Sequence, residues 1–222
     1  MVIDRPAFFR HLEENGEGLF ADGVTEAQKR GLSCKLDVWD AFYAAGHPWV
    51  FLAAALGQMH WETGGRLEPV LEAFAENRRQ SAEKLQAAYD AGRLAWVKTP
   101  YWLPDESGQI AVGGGDIQLT HRRNYVFAEQ RLAERFGRSF GLDADYDRIL
   151  DPAISAHVAF AGMIEGWFRP CKLGDFLRED GTLDYRAARD IVNGDTGRIG
   201  DRIEAHCKTY EAAILASLRE ND

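Results

Sequence analysis

The stretch Trp49-Val50-Phe51-Leu52-Ala53-Ala54-Ala55-Leu56 is apolar throughout and runs into Met59-His60-Trp61-Glu62-Thr63-Gly64-Gly65. A helix that is apolar on all sides has to be enclosed by the rest of its chain. The segment therefore demands a fold arranged around one buried helix. Gly64-Gly65 predicts its end, because glycine enters the left-handed conformation at little cost. Glu62 then sits at the C-terminal end of that helix. The partial negative charge there disfavours a second negative charge, and apolar surroundings raise a carboxyl pKa. Both effects suit a general acid that keeps its proton near neutral pH. A surface glutamate at a frayed helix end is the other reading of this segment alone.

The remaining chain reads as more helices. Asp4 and Pro6 predict a helix start, with Phe8, Phe9 and Leu12 on one face and Gly16 as the stop. Thr25-Glu26-Ala27-Gln28 reads as a capping box. The helix it opens carries Leu32, Leu36, Trp39, Phe42 and Tyr43 toward a core and ends at Gly46. His47-Pro48 opens the helix that leads to Glu62. Arg66 to Phe74 is irregular or briefly helical, and Ser81 is expected to cap a helix running to Gly92. Residues 93–115 read as a loop holding Trp96, Tyr101 and Trp102, with a hairpin turning at Asp105-Glu106-Ser107-Gly108. Such a loop either lines a groove or is a surface loop pinned by its aromatics. Within Gly113 to Thr120 a short strand would put Gln118 and Thr120 on one face. Helices are expected from His121 to Phe136, from Asp151-Pro152 onward, from Asp184 to Gly194, and from Arg198 to Leu218. The sum is a mainly α protein with at most a small β-hairpin.

Composition narrows the function. The 222 residues fit a single domain, with N-terminal helices over residues 1–46 packed on a core over 47–218. A net charge of −9 argues against a nucleic-acid partner, which would require basic patches. Cys34, Cys171 and Cys207 form no CxxC pair, so reduced thiols are the simpler reading. The histidines are scattered and no HExxH occurs, which leaves no metal site and no cofactor. His60 and Glu62, two apart, would face different sides of their helix. No GxSxG elbow is present. The N-terminus lacks the pattern of a signal peptide, and no apolar run approaches the roughly 20 residues of a membrane span. Synthesis as a cytoplasmic monomer is expected, with action elsewhere only after release.

Paired carboxylates fit better. Glycoside hydrolysis needs a protonated carboxyl on the leaving oxygen and a second carboxylate that activates water or attacks carbon. In sequence, Glu68 and Glu72 follow Glu62 across the Gly-Gly turn. The string His60-Trp61-Glu62-Thr63-Gly64-Gly65, followed by Glu68-Pro69-Val70-Leu71-Glu72-Ala73-Phe74, resembles the His-Glu-Thr segment of family 19 glycoside hydrolases. These are the plant-type chitinases and the related phage endolysins. Gly113 to Thr120 with Asn124-Tyr125 resembles the family's Gly-Arg-Gly-x-x-Gln-Leu-Thr…Asn-Tyr signature. Ile191-Val192-Asn193-Gly194, and Asp201-Arg202-Ile203 with Tyr210, resemble its later segments. The matches run from about residue 50 to 212 and look more like the phage or prophage branch.

The resemblance implies a lysozyme-like, two-lobed, mainly helical fold. It implies Glu62 as general acid and Glu72 as the carboxylate that activates water, with Glu68 as the fallback. Gln118, Thr120, Asn124 and Tyr125 would bind the glycan, and Asn193 and Arg202 would form a polar network beneath the second carboxylate. A buried arginine beside Glu72 would lower its pKa. The implied activity is cleavage of β-1,4 bonds in peptidoglycan by an endolysin-type muramidase, which reaches the cell wall after holin-type or other lysis-dependent release. A chitinase, or a catalytically impaired phage module that binds glycan, are the alternatives. Two departures bear on them: Trp61 stands where the family has a histidine before the acid, and Gly114 replaces its arginine. They imply altered substrate, weaker activity or glycan binding alone.

Overall fold

The segment Trp49–Glu62 is one helix, buried at every position from Val50 to His60. This holds in a computed structural model that describes residues 2–16 and 18–219. In chain order the elements are β1 (Val2–Ile3), α1 (Arg5–Asn15), α2 (Glu26–Phe42), α3 (Trp49–Glu62), β2 (Val70–Leu71), α4 (Arg78–Asp90), β3 (Gly114–Gly115), α5 (Arg122–Phe136), α6 (Pro152–Glu165), α7 (Thr196–Ser217) and β4 (Leu218–Arg219). Short 3-10 turns occupy Glu72–Phe74, Tyr146–Leu150, Leu173–Phe176 and Ala187–Ile191. The chain forms two compact units, Met1–Glu68 with Ala156–Asp222, and Pro69–Ser155.

The first unit is built on α3 and α7. Cys207 of α7 lies so close to Gly57 of α3 that a Cβ on Gly57 would be 2.4 Å from its Sγ. Only glycine allows that approach. Asp4 accepts from Ala7 N at 3.1 Å and starts α1. The capping box forms as expected: Gln28 N donates to Thr25 Oγ1 (3.3 Å) and Thr25 N to Gln28 Oε1 (2.9 Å). Leu32, Leu36, Trp39 and Tyr43 are buried, but Phe42 is 51% exposed. It occupies the last turn of α2 and meets the His157 ring edge-on at 4.9 Å. At the chain ends β1 and β4 pair antiparallel, Val2 with Arg219 and Ile3 with Leu218.

The second unit carries α4, α5 and the β2–β3 pair, which puts Val70 opposite Gly115 and Leu71 opposite Gly114. Leu85, Trp102 and Val112 form its apolar cluster, covered by Tyr89, Tyr101 and Ile110. The hairpin turns where the sequence places it: Gly108 N donates to Asp105 O (2.9 Å) and Pro104 bridges Ile110.

Three local expectations change. Asn77, not Ser81, caps α4: its side chain accepts from Gln80 N at 2.9 Å, whereas the Ser81 hydroxyl donates to Glu72 O. Of the short strand expected within Gly113 to Thr120, only Gly114–Gly115 is extended, and 116–118 turn. Gln118 takes a left-handed φ of 56°, so β3 is confined to Gly114–Gly115, with a single bridge from Gly114 to Leu119. Asp184 does cap a helical turn, accepting from Ala187 N, but the turn is the short 3-10 segment Ala187–Ile191.

Candidate active site

In the first unit the site grows from the end of α3. Thr63 closes the helix, its hydroxyl donating to Met59 O (2.8 Å) and accepting from Leu67 N (3.0 Å). Gly64 and Gly65 follow with φ of 59° and 79°. Glu62 is thereby fixed with its side chain 15% exposed, and its Oε1 accepts from Arg189 Nη1 at 2.5 Å. Arg189 is only 1% exposed. The same Nη1 donates to Gln58 Oε1 (2.9 Å), and Nε donates to Asp195 Oδ1 (2.8 Å). Asp195 is held in turn by Arg198 at 2.8 Å. One enclosed guanidinium thus clamps two carboxylates and an amide.

The electrostatics of the two carboxylates differ. Burial pushes the Glu62 carboxyl above its ordinary value; the Arg189 charge and hydrogen bond pull it back only in part, and Asp195 adds to the rise. For Asp195 burial also raises the pKa, but the hydrogen bonds from Arg189 and Arg198 outweigh it and the result lies below the ordinary value. Two carboxyls on one arginine are thus driven in opposite directions, the arrangement that separates a proton donor from a permanent anion.

In the second unit the focus is Glu72. Its Oε1 accepts from the Tyr101 hydroxyl (2.6 Å) and its Oε2 from Gly113 N (2.9 Å). A Cβ on Gly113 would lie 2.9 Å from Gln118 Oε1, 3.2 Å from Glu72 Oε2 and 3.2 Å from Thr120 Oγ1. Gln118 and Thr120 therefore converge with the carboxylate on one glycine. The Gln118 amide donates to Val70 O (3.1 Å), and Asn124 donates to Thr120 O (2.7 Å). The backbone here is strained: Ala73, Phe74, Gln118 and His121 all have left-handed φ. Each such residue costs about 1–3 kcal/mol, and such strain clusters at functional sites.

The other expected site residues have partners of their own. Glu68 is drawn to α2, 3.5 Å from Arg30. Tyr125 is fully buried; its hydroxyl donates to Val112 O (3.1 Å) and accepts from Arg78, so it braces the loop instead of presenting a glycan-binding group. Asn193 is exposed, its backbone N–H donating to Arg189 O. Arg202 stacks over the Trp61 ring, 6.0 Å from its centre. The first unit holds one buried arginine against Glu62, Arg189. The second unit's own buried arginine, Arg78, bonds Asp147 (2.7 Å), Ile110 O (3.0 Å) and Val112 O (3.2 Å).

Gly114, where the resemblance places an arginine, is closely surrounded. A Cβ on Gly114 would lie 2.9 Å from Ile149 Cγ2 and 3.1 Å from the Tyr125 hydroxyl oxygen, while Arg78 Nη2 is 3.5 Å away. The position has no room for a side chain, and Arg78 of α4 supplies the positive charge beside it. His60 points into the core, its Nδ1 2.8 Å from the Tyr210 hydroxyl and its ring 4.9 Å from His206. Among the described residues no group of three or more His, Cys, Asp or Glu side chains is arranged to hold a metal ion. No described helix is long and apolar enough to cross a membrane.

Among the described residues the fold is mainly α and lysozyme-like, with two small antiparallel sheets. Solved structures of chitinase C are among those that share it. One is a mutant of chitinase C, 19% identical, with a TM-score of 0.54 over 99% of this chain and 95% of that one. Another is chitinase C from Streptomyces griseus HUT6037, 17% identical, with a TM-score of 0.55 over 96% of this chain and 79% of that one. At this level of identity the likeness is one of fold. No family model matches the chain, and no curated protein matches it in sequence.

Proposed function

We propose that this chain is a glycoside hydrolase that cleaves β-1,4 bonds in glycans containing N-acetylhexosamine. Glu62 is the proton donor. Arg189 bonds its Oε1, so the catalytic proton is carried on Oε2 and passes to the glycosidic oxygen as the bond to the anomeric carbon breaks. Glu72 is the base: it takes a proton from the water that attacks the anomeric carbon, giving a hemiacetal of inverted configuration. Its anchoring by Tyr101 and Gly113, beside Gln118 and Thr120, favours it over Glu68, which is tied to Arg30. Gln118, Thr120 and Asn124 are the glycan-binding groups of this reading. The observation that carries it is the Glu62 carboxyl, largely buried at a helix C-terminus and raised in pKa while held by an enclosed arginine.

Within this reading the substrate is the peptidoglycan glycan strand, reached after lysis-dependent release from the cytoplasm, and the chain works as a monomer without a cofactor. The sequence resemblance to phage endolysins supports that substrate. A second reading, chitin, is favoured by the fold shared with chitinase C. Digestion of purified peptidoglycan against N-acetylglucosamine oligomers, scored by new reducing ends, separates the two. The same assay tests the hydrolase reading itself: wild-type protein that binds either glycan without releasing new reducing ends overturns it.

A further inference from the structure

Helix α3 is apolar from Trp49 to Leu56, yet one turn before Glu62 it buries an amide. Gln58 is 1% exposed and stands four residues before Glu62, on the same face of the helix. Enclosing an amide is costly unless its hydrogen bonds are made, and both ends of Gln58 are used. Its Nε2 donates to Ala188 O (3.2 Å), and its Oε1 accepts from Arg189 Nη1 (2.9 Å). One side chain thereby holds two consecutive residues of the 3-10 turn Ala187–Ile191. The amide has one workable orientation, because turned over it would set N–H against N–H and carbonyl against carbonyl.

A guanidinium Nη1 carries two N–H bonds. Here it donates to Gln58 Oε1 and to Glu62 Oε1 (2.5 Å), while Nε is taken by Asp195 (2.8 Å). Arg189 therefore meets Glu62 through one nitrogen and one oxygen. A guanidinium free to turn can form a two-bond fork with a carboxylate, and that fork favours the ionised form. The charged groups acting on Glu62 are Arg189 from the turn and Asp195 at the start of α7, with Arg198 behind Asp195. Burial outweighs the Arg189 charge and keeps the carboxyl above its ordinary value, a balance that a forked arginine would reverse.

We propose that Gln58 is a positioning residue: it restrains Arg189 to a single hydrogen bond with Glu62 and so leaves Glu62 Oε2 open to carry the proton. The consequence for catalysis rests on the reading of Glu62 as proton donor; the restraint on Arg189 does not.

The test is NMR titration of the Glu62 carboxyl in the whole protein labelled with carbon-13 glutamate, assigned through Glu62→Gln. It is run on wild type, Gln58→Met and Gln58→Glu, with circular dichroism on each. Methionine keeps the length of the side chain and removes the amide, so Glu62 should titrate about one pH unit lower or more, about a tenfold change in its acid constant. Gln58→Glu keeps the shape and an oxygen facing Nη1, so Glu62 should titrate at or above its wild-type position. An unchanged Glu62 titration in a folded Gln58→Met protein overturns the proposal. So does a fall in Gln58→Glu, which decides the matter alone if Gln58→Met does not fold. The titration needs no substrate, so it stands apart from the hydrolase reading. In a protein that cleaves glycan, the alkaline limb of kcat/KM should move to lower pH together with Glu62 in Gln58→Met. A limb that stays while the Glu62 titration moves upholds the restraint and overturns Glu62 as the donor.

Discussion

Replacing Arg189 by methionine keeps the length of the side chain and removes its charge. The side chain is 1% exposed and bonds Glu62, Gln58 and Asp195 at once. Without it two carboxylates, each 15% exposed, lose their shared cation, and Asp195 keeps the exposed Arg198. Breaking a buried pair by removing one partner costs about 3–5 kcal/mol. For a chain of this size that lowers Tm by roughly 6–20 °C.

The loss should depend on pH in a defined sense. Asp195 has a depressed folded pKa, so its contribution is present above the ordinary carboxylate range and disappears as pH falls through the folded value. Glu62 has a raised folded pKa, so its contribution is present below that range and is lost as pH rises through the folded value. Removing Arg189 cancels the first and deepens the second. Both changes penalise ionised carboxylates, so the variant recovers relative to wild type in acid. Urea denaturation at about pH 7 and about pH 4 measures this directly. A loss under ~0.5 kcal/mol at neutral pH, the size of an ordinary surface substitution, refutes the clamp; so does a loss that is the same at both pH values.

Two further outcomes follow from the first unit's core. Burial, with the neighbouring His206, pushes the His60 pKa from 6.5 down to about 3. Its contribution to stability is therefore present above about pH 6.5 and is lost as pH falls toward 3, at about 1.4 kcal/mol per pH unit, or ~2 kcal/mol by pH 5. His60→Gln should flatten the pH dependence of the unfolding free energy by that amount, and parallel curves for the two proteins would argue against a buried neutral imidazole. Gly57→Ala forces a methyl group against Cys207 and should cost about 1–3 kcal/mol as an overpacked contact, read as a lower urea midpoint; an unchanged midpoint would mean that α3 and α7 separate freely there.

The parts of this molecule legible in its sequence are those set by neighbouring residues. The apolar run and Gly64-Gly65 fix α3 and deliver Glu62 to its end. Thr25 and Gln28 announce α2, and Asp105 to Gly108 announce a turn, because caps and turns are hydrogen bonds made within three or four residues. Asn77 was hidden by Ser81, an equally good cap by type; what decides between them is the Glu72 carbonyl, which takes the Ser81 hydroxyl. The Arg189–Glu62 bond joins residues 127 apart, and no period or spacing signals such a pair. The left-handed φ of Gln118 was equally hidden, because a strand and a strained turn have the same alternating text. Gly114 read as a lost arginine, but its meaning lay in Ile149 and Tyr125, which fill the space any side chain would need.

The proposed mechanism turns on Glu62 as the proton donor. The most direct measurement is hydrolysis of peptidoglycan and of N-acetylglucosamine oligomers by wild type and Glu62→Gln, with circular dichroism on the same samples. With Glu62 as the proposed proton donor, wild type releases new reducing ends from one of these glycans, and Glu62→Gln keeps the fold while losing about 10²–10⁴-fold of that rate, the usual contribution of a general acid. A folded Glu62→Gln protein that turns over at the wild-type rate contradicts it.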